Sequence, residues 1–213
     1  MSYSKERQEI VMYGRLLYDR GYLAGKDGNL SIKLSDGTIL ITPSGVAKGF
    51  LDEVDMAVVD ADGKQISSNR KASSESLMHL YVYKMRPEIN ACCHAHPPYS
   101  TAFSIVGKSL PSNILPEVVL TVGEVPITEY ASPGTDEVPR SLDKYISDHS
   151  AFILRNHGVL TIGRTAEEAY HRMETVEHYA KIIYIAENMG EMKCLDPDQI
   201  GRLLRNSQKS GKD

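Results

Sequence analysis

The residues best suited to do chemistry lie in Ala91-Cys92-Cys93-His94-Ala95-His96-Pro97-Pro98. The stretch reads as an apolar strand that ends on a proline stop, with two histidines at spacing i, i+2 just before the break. Alternate side chains leave a strand on the same face, so His94 and His96 stand side by side with Cα atoms roughly 6.5–7 Å apart. At that spacing two imidazoles can converge on one metal ion. Cys92 shares the face of His94 and Cys93 points the other way, and both read as small buried core residues. An isolated His-x-His pair is a weak signal; its weight comes from downstream. Ala151-Phe152-Ile153-Leu154 is a second buried strand that runs into Arg155-Asn156-His157-Gly158 before Val159-Leu160-Thr161-Ile162 resumes the strand pattern. His157, at a glycine-marked strand end, is placed to be a third ligand. Three histidines leave one position open on a tetrahedral zinc, the pattern of catalytic rather than structural sites.

A metal held in this way still needs an acid or base beside it. Glu75 follows Ser73-Ser74 at the expected start of a helix, one element before the histidines. Glutamate in a first helical turn is also favoured by the helix dipole alone. Gly28-Asn29, Ser44-Gly45 and Ser73-Ser74 each combine small residues with free backbone N–H groups and a hydroxyl or amide, which suits a phosphate without lysine. Taken singly, each is also an ordinary turn. His79, His149, His171 and His178 are assigned no role, and Asp60-Ala61-Asp62-Gly63 reads as a hairpin turn rather than a calcium loop.

The elements that must position these groups follow from periodicity. Lys5 to Asp19 is an amphipathic helix with Ile10, Tyr13, Gly14 and Leu17 on one face. Leu30–Leu34 and Thr38–Thr42 flank Asp36-Gly37 as a hairpin, and Val54–Val59 with Lys64–Ile66 repeats the pattern. Glu75 to Lys84 is a helix with Leu77, Leu80 and Tyr81 inward, stopped at Arg86-Pro87. Tyr99 to Val106 is a short helix, Val118–Leu120 and Val125–Thr128 are extended, and Ser141 to Ser147 belongs to another helix. Thr165 and Glu168 form a capping box that opens a long helix through Asn188, ended by Gly190. The polar tail from Asn206 to Asp213 is expected to fray. Residues 1–213 thus read as one α/β domain whose mainly antiparallel sheet is covered by helices.

Composition narrows the function classes. With 213 residues, 41% hydrophobic and 24% charged, the chain can build a core of ordinary size. Its net charge of −4 is scattered, which gives no basic face for nucleic acid. No apolar run reaches the length of a membrane span, and Met1 to Glu9 lacks the apolar core of a signal peptide, so a cytoplasmic location is the default expectation. Three cysteines, two of them adjacent, make no disulfide framework.

Gly28-Asn29-Leu30-Ser31, Thr42-Pro43-Ser44-Gly45, Ser73-Ser74-Glu75, His94-Ala95-His96 and Asn156-His157-Gly158 occur in the order and approximate spacing of the class II aldolase and adducin family. The chain resembles that family from its first helix to its long closing helix. The resemblance implies a three-layer α/β/α fold with a mainly antiparallel central sheet, assembled as a cyclic homotetramer with active sites between neighbouring subunits. It implies one zinc ion per subunit on His94, His96 and His157, a catalytic carboxylate at Glu75, and substrate phosphate near Gly28, Asn29, Ser44, Gly45, Ser73 and Ser74. The implied reaction is cleavage of a ketose 1-phosphate, such as L-fuculose 1-phosphate, to dihydroxyacetone phosphate and a short aldehyde such as L-lactaldehyde. Ribulose-phosphate 4-epimerases of the fold usually carry aspartate where Glu75 stands, and adducin-like interaction modules commonly lack the three histidines. A metal-dependent decarboxylase of a 3-oxo sugar-acid phosphate would use the same groups. One departure is local: where aldolases of the family supply a tyrosine, this chain has Ile114, Leu115 and Pro116.

Overall fold

In the computed structural model, which describes residues 3–67 and 70–210, the first amphipathic period becomes helix α1 (Ser4–Asp19). Its buried face carries Ile10, Tyr13, Gly14 and Leu17, as their spacing predicts. Strands β1 (Asn29–Lys33) and β2 (Ile39–Ile41) pair antiparallel across the Asp36-Gly37 turn. Asp36 Oδ1 accepts from Thr38 N at 2.9 Å and Gly37 takes φ +83°, the chemistry that makes Asp-Gly a hairpin signal. Strands β3 (Ala57–Val59) and β4 (Gln65–Ser67) form the second hairpin, shorter at its start than the expected Val54–Val59. Glu53–Asp55 is a 3-10 turn instead, because Asp55 folds its carboxylate back onto Asp52 N at 3.0 Å.

Helix α2 (Ser76–Met85) starts one residue later than Glu75 and presents a different face from the expected one. Met78, His79, Val82 and Tyr83 are buried, whereas Leu77 is 43% exposed and Leu80 and Tyr81 are only half-buried. A polar side chain decides this rotation: His79 is satisfied inside by partners on β1, so the helix can turn it inward at no loss. Strand β5 (Ala91–Ala95) follows, then helix α3 (Pro98–Val106). Pro97, at the cap of α3, has no side chain to offer its first N–H groups. The buried Glu177 takes that place, accepting from Tyr99 N, Ser100 N and Ser100 Oγ, each at 2.8 Å.

Residues 118–120, expected to be extended, lie in helix α4 (Pro116–Thr121), because Pro116 is pre-set for a first helical turn. Of the second extended piece, Ile127 bridges to Ile153 in parallel fashion. Helix α5 (Glu137–Ser141) ends where the expected helix over 141–147 was to begin; turns continue from there. Strands β6 (Ala151–Leu154) and β7 (Gly158–Gly163) form the last hairpin, and helix α6 (Ala166–Met189) follows. Thr165 Oγ1 accepts from Glu168 N at 3.1 Å, but the Glu168 carboxylate accepts from Arg164 N rather than Thr165 N, so only half of the capping box is made. Helix α7 (Pro197–Ser210) occupies most of the tail expected to fray, and 211–213 lie outside the described residues.

Among the described residues the strands make one seven-stranded sheet in the order β4-β3-β2-β1-β5-β7-β6, every neighbouring pair antiparallel. The histidine-bearing β5 sits between β1 and β7 near the centre. Alternation along the strands divides the core in two. Leu30, Ile32, Cys93 and Ile153 pack with Ile10 and Leu17 of α1, Phe103 of α3 and Met173 and Tyr179 of α6. Ile39, Ile41, Cys92, Phe152 and Leu160 pack on the other face with Met78 and Val82 of α2 and Val138 of α5. This is the three-layer α/β/α arrangement. Among the described residues no helix is long and apolar enough to cross a membrane.

Candidate metal centre and active site

Three different backbone devices bring the histidine rings together. His94 is fully buried in β5, opposite Asn29 of β1 on one side and Leu160 of β7 on the other. Its Nδ1 lies 2.9 Å from the Val159 carbonyl, which can only accept, so Nδ1 carries the hydrogen and Nε2 keeps its lone pair. His96 lies just past the end of β5, where its N–H donates to Tyr22 O at 3.0 Å and its Nδ1 stands 3.6 Å from Asp27 Oδ2. His157 is delivered by the β6–β7 turn, in which Asn156 takes φ +54°. Gly158 then lets β7 press against the end of β5: a Cβ there would meet Ala95 O and His96 Cδ2 at 2.5 Å.

The ring centroids are 4.7 to 5.0 Å apart, and one nitrogen from each ring falls within 4.8 Å of the others. His94 Nε2 and His96 Nε2 are 3.2 Å apart. Two nitrogens bound at 2.0–2.1 Å to a tetrahedral cation would be about 3.3 Å apart, so the His94–His96 pair already has the spacing a divalent ion requires. Three imidazoles suit zinc and several of its neighbours. Burial lowers the pKa of both His94 and His96, to about 3 for His94, which keeps their lone pairs available.

Glu75 completes the cluster. It stands at the cap of α2, its N–H 3.3 Å from Ser73 Oγ. Its Oε2 accepts from Asn29 Nδ2 at 2.8 Å and lies 3.4 Å from His94 Nε2. Its Oε1 is 3.2 Å from His157 Nε2, yet is buried with no hydrogen-bond partner among the described residues. Burial alone would raise the Glu75 pKa; its interactions with the neighbouring His94 and His157 rings and the Asn29 hydrogen bond outweigh it and hold the carboxyl below its usual range. A divalent cation among these rings would act in the same direction. The donor set and the orphaned carboxylate oxygen therefore fit a metal.

The three expected phosphate loops are stitched side by side. Leu30 N donates to Thr42 Oγ1, Thr42 N to Leu30 O, and Ser73 N to Thr42 O at 3.2 Å, so Asn29, Ser44 and Ser73 belong to one neighbourhood. Two N–H groups expected to be free are engaged, Ser73 N in that bond and Ser44 N in one of 2.9 Å to Lys71 O, because these segments pair across the Pro43–Ala72 bridge. Gly28 and Gly45 take φ +68° and +74°, as loops built from small residues require.

Sequence reasoning missed four contributors. His79 Nε2 meets Asn29 Oδ1 at 2.5 Å and His79 Nδ1 meets Ser31 Oγ at 2.6 Å, while Ser31 Oγ meets Tyr83 OH at 2.6 Å. The available signal was that His79 lies four residues after Glu75, on the same helical face. The fourth is Lys48, 3% exposed, whose Nζ donates to Lys26 O at 2.7 Å and Val46 O at 2.9 Å and so ties the loops before Gly28 and after Gly45. Nothing in its local pattern distinguishes it from a surface lysine. A cavity of about 550 Å³ lies elsewhere, between the end of α1, α4 and α6. Its Arg20 and His171 both pair with Glu174.

The description "Class II Aldolase and Adducin N-terminal domain" matches residues 8–184. The chain is 38% identical over 183 residues to 3-oxo-tetronate 4-phosphate decarboxylase of Escherichia coli K12, covering 84% of this chain and 86% of the relative. It is also 38% identical over 182 residues to L-fuculose phosphate aldolase of Methanococcus maripaludis, covering 85% and 97%. A solved structure of L-fuculose 1-phosphate aldolase superposes with a TM-score of 0.89 at 32% identity, over 98% of both chains.

Proposed function

Because the chain belongs to the class II aldolase and adducin family, we propose that it is a zinc-dependent lyase that cleaves a ketose 1-phosphate, L-fuculose 1-phosphate or a close relative, to dihydroxyacetone phosphate and a short aldehyde. One observation carries the reading: three imidazole nitrogens within 4.8 Å of one another converge at the end of β5 with the Glu75 carboxylate, which lies 3.4 and 3.2 Å from two of them. His94, His96 and His157 would hold the ion. When bound, a divalent cation supplies a Lewis acid against the negative charge that develops as the carbon–carbon bond breaks.

The chain's own residues would do the rest. The loops at Gly28-Asn29, Ser44-Gly45 and Ser73-Ser74 would bind the phosphate and so orient the dihydroxyacetone half. Glu75, held through Oε2 by Asn29, would deliver the proton to the carbon left by the departing aldehyde, and remove it in the reverse direction. The same proposal includes assembly as a homotetramer with active sites between subunits.

A specific observation favours a second reading, decarboxylation of a 3-oxo sugar-acid phosphate. Aldol cleavage must also take a proton from the hydroxyl that becomes the aldehyde, and residues 114–116, where a phenol would serve, are Ile-Leu-Pro. Loss of carbon dioxide leaves no such hydroxyl to deprotonate, and protonation of the remaining carbon again gives dihydroxyacetone phosphate. The test is to incubate the purified protein with L-fuculose 1-phosphate and, in parallel, 3-oxo-tetronate 4-phosphate, following dihydroxyacetone phosphate through a coupled dehydrogenase with and without chelator and added zinc. Chelator-sensitive release from the ketose supports the aldolase; release from the sugar acid alone, with carbon dioxide, supports the decarboxylase. Zinc-loaded protein that releases it from neither refutes both.

A further inference from the structure

We infer that His79 is a positioning residue whose tautomer orients the Asn29 amide and, through it, the Glu75 carboxylate. The inference rests on the reading of Glu75 as the acid–base group. Its ground is the polarity of a buried hydrogen-bond chain that runs from Tyr83 through Ser31, His79 and Asn29 to Glu75.

Each link has one allowed direction. The ionised Glu75 Oε2 can only accept, so the Asn29 amide turns Nδ2 toward it. Asn29 Oδ1 then faces His79 Nε2 and can only accept, so Nε2 carries the hydrogen. His79 is completely buried, and burial pushes its pKa down to about 4 against a smaller upward pull from Glu75, so the ring is neutral near pH 7. Its Nδ1 is therefore bare and accepts from the Ser31 hydroxyl, whose oxygen accepts from Tyr83. The opposite tautomer would leave two hydrogens facing each other at Ser31 unless the hydroxyl reversed, and would set a bare ring nitrogen against a carbonyl oxygen at Asn29. Turning the amide to relieve that would aim Oδ1 at the carboxylate. Asn29 and Ser31 are both 1% exposed, so bulk solvent does not reach them to absorb such a mismatch.

The consequence falls on Glu75. Oε2 is held as an acceptor at the end of a fixed chain, which leaves Oε1 turned toward His157 Nε2, 3.2 Å away. His79 thus sets the orientation of the carboxylate through Asn29, without touching it.

The test uses full-length, metal-loaded protein. Long-range ¹H–¹⁵N NMR of histidine-labelled protein, with the His79 signals identified by their loss in His79→Gln, reads the tautomer; Nε2–H is expected, and Nδ1–H or a doubly protonated ring near pH 7 overturns the proposal. Kinetically, His79→Phe should lower kcat about 10–100-fold with bound metal unchanged. His79→Gln, whose amide nitrogen can reach the place of Nε2, should recover most of that loss. If the ring only filled space, His79→Phe would be the benign variant and His79→Gln the damaging one, and that order refutes the inference. Glu75→Gln is measured alongside. If it keeps turnover, the reading of Glu75 fails; if it abolishes turnover while His79→Phe retains wild-type kcat, only the role of His79 fails. Should His79→Phe not fold, the tautomer in the wild-type protein still decides.

Discussion

Gly28 is the position where a single methyl group would test the link between sheet packing and the metal centre. It takes φ +68°, and a Cβ there would lie 2.3 Å from Leu23 Cδ2 and 2.6 Å from the carbonyl oxygen of His94. The leucine methyl can swing away, but the His94 carbonyl belongs to a central strand and cannot move alone. Gly37, in the β1–β2 turn, provides the control: it takes φ +83° with nothing within 4 Å of its would-be Cβ. Gly37→Ala should therefore show only the left-handed backbone term, about 1–2 kcal/mol. Gly28→Ala adds an overpacking term of about 1–3 kcal/mol, for a total of about 2–5 kcal/mol. Because Asn29 faces His94 across the same pair of strands, relief of the clash shifts Glu75 relative to the histidines by some tenths of an ångström. With an ångström of misplacement worth up to about 10²-fold, kcat should fall roughly tenfold or more in Gly28→Ala and stay unchanged in Gly37→Ala. Urea unfolding and the dihydroxyacetone phosphate assay measure both terms. Equal stability losses in the two variants, with full turnover in Gly28→Ala, would refute the reasoning.

Chelation should abolish turnover and lower the melting temperature, and zinc should restore both; an ion at 100 times its Kd adds about 2.7 kcal/mol to the folded state. A melting curve indifferent to chelator would remove the three histidines from the argument. Glu177→Ala leaves Tyr99 N, Ser100 N and Ser100 Oγ without their buried acceptor, at a cost of about 3 kcal/mol or more by urea unfolding. It should weaken zinc binding as well, since α3 begins two residues after His96, and wild-type affinity on isothermal titration would contradict that. Burial lowers the Lys48 pKa from 10.5 to about 8, so unfolding takes up a proton between these values and stability contributed by this group rises with pH across that window. Lys48→Met should flatten that part of the curve of unfolding free energy against pH, and a slope identical to wild type would show the ammonium to be better solvated than its burial indicates.

What was legible in the sequence was what a local pattern encodes. The i, i+2 histidines, the Asp-Gly turn and the α1 stripe are properties of a few consecutive residues, and each took its expected form. Position of the third histidine was equally local, since Asn156 before it takes the left-handed conformation the turn uses and Gly158 after it lacks the Cβ that would clash with the end of β5. The errors fell where long-range partners outweigh local preference. Val118–Leu120 has strand composition, yet Pro116 and contacts with α7 and α6 make it helical. The inward face of α2 was misjudged because an apolar count favours Leu77 over His79, and only the facing strand reveals that the histidine is fully satisfied inside. Lys48 was illegible for the same reason: the two carbonyls that hold it come from loops whose proximity is a product of the fold.

That misjudged face bears on function. In β1, Leu30 and Ile32 supply the apolar core on the α1 side, while Asn29 and Ser31 occupy the alternate positions that face α2. Two apolar side chains there would have been the simplest way to bury the strand, and a partly satisfied polar pair would be worse than none. Instead, Asn29 and Ser31 are bonded to His79 from the opposite layer, with Tyr83 and Glu75 at the two ends. Hydrogen-bonding capacity is matched along the chain until Glu75 Oε1, which is buried, unpartnered and beside His157. A charged oxygen in that position is costly unless a cation and a substrate make use of it. The polar residues between the sheet and α2 thus have one direction of effect, toward a carboxylate fixed in place beside the three histidines, as the proposed proton transfer requires.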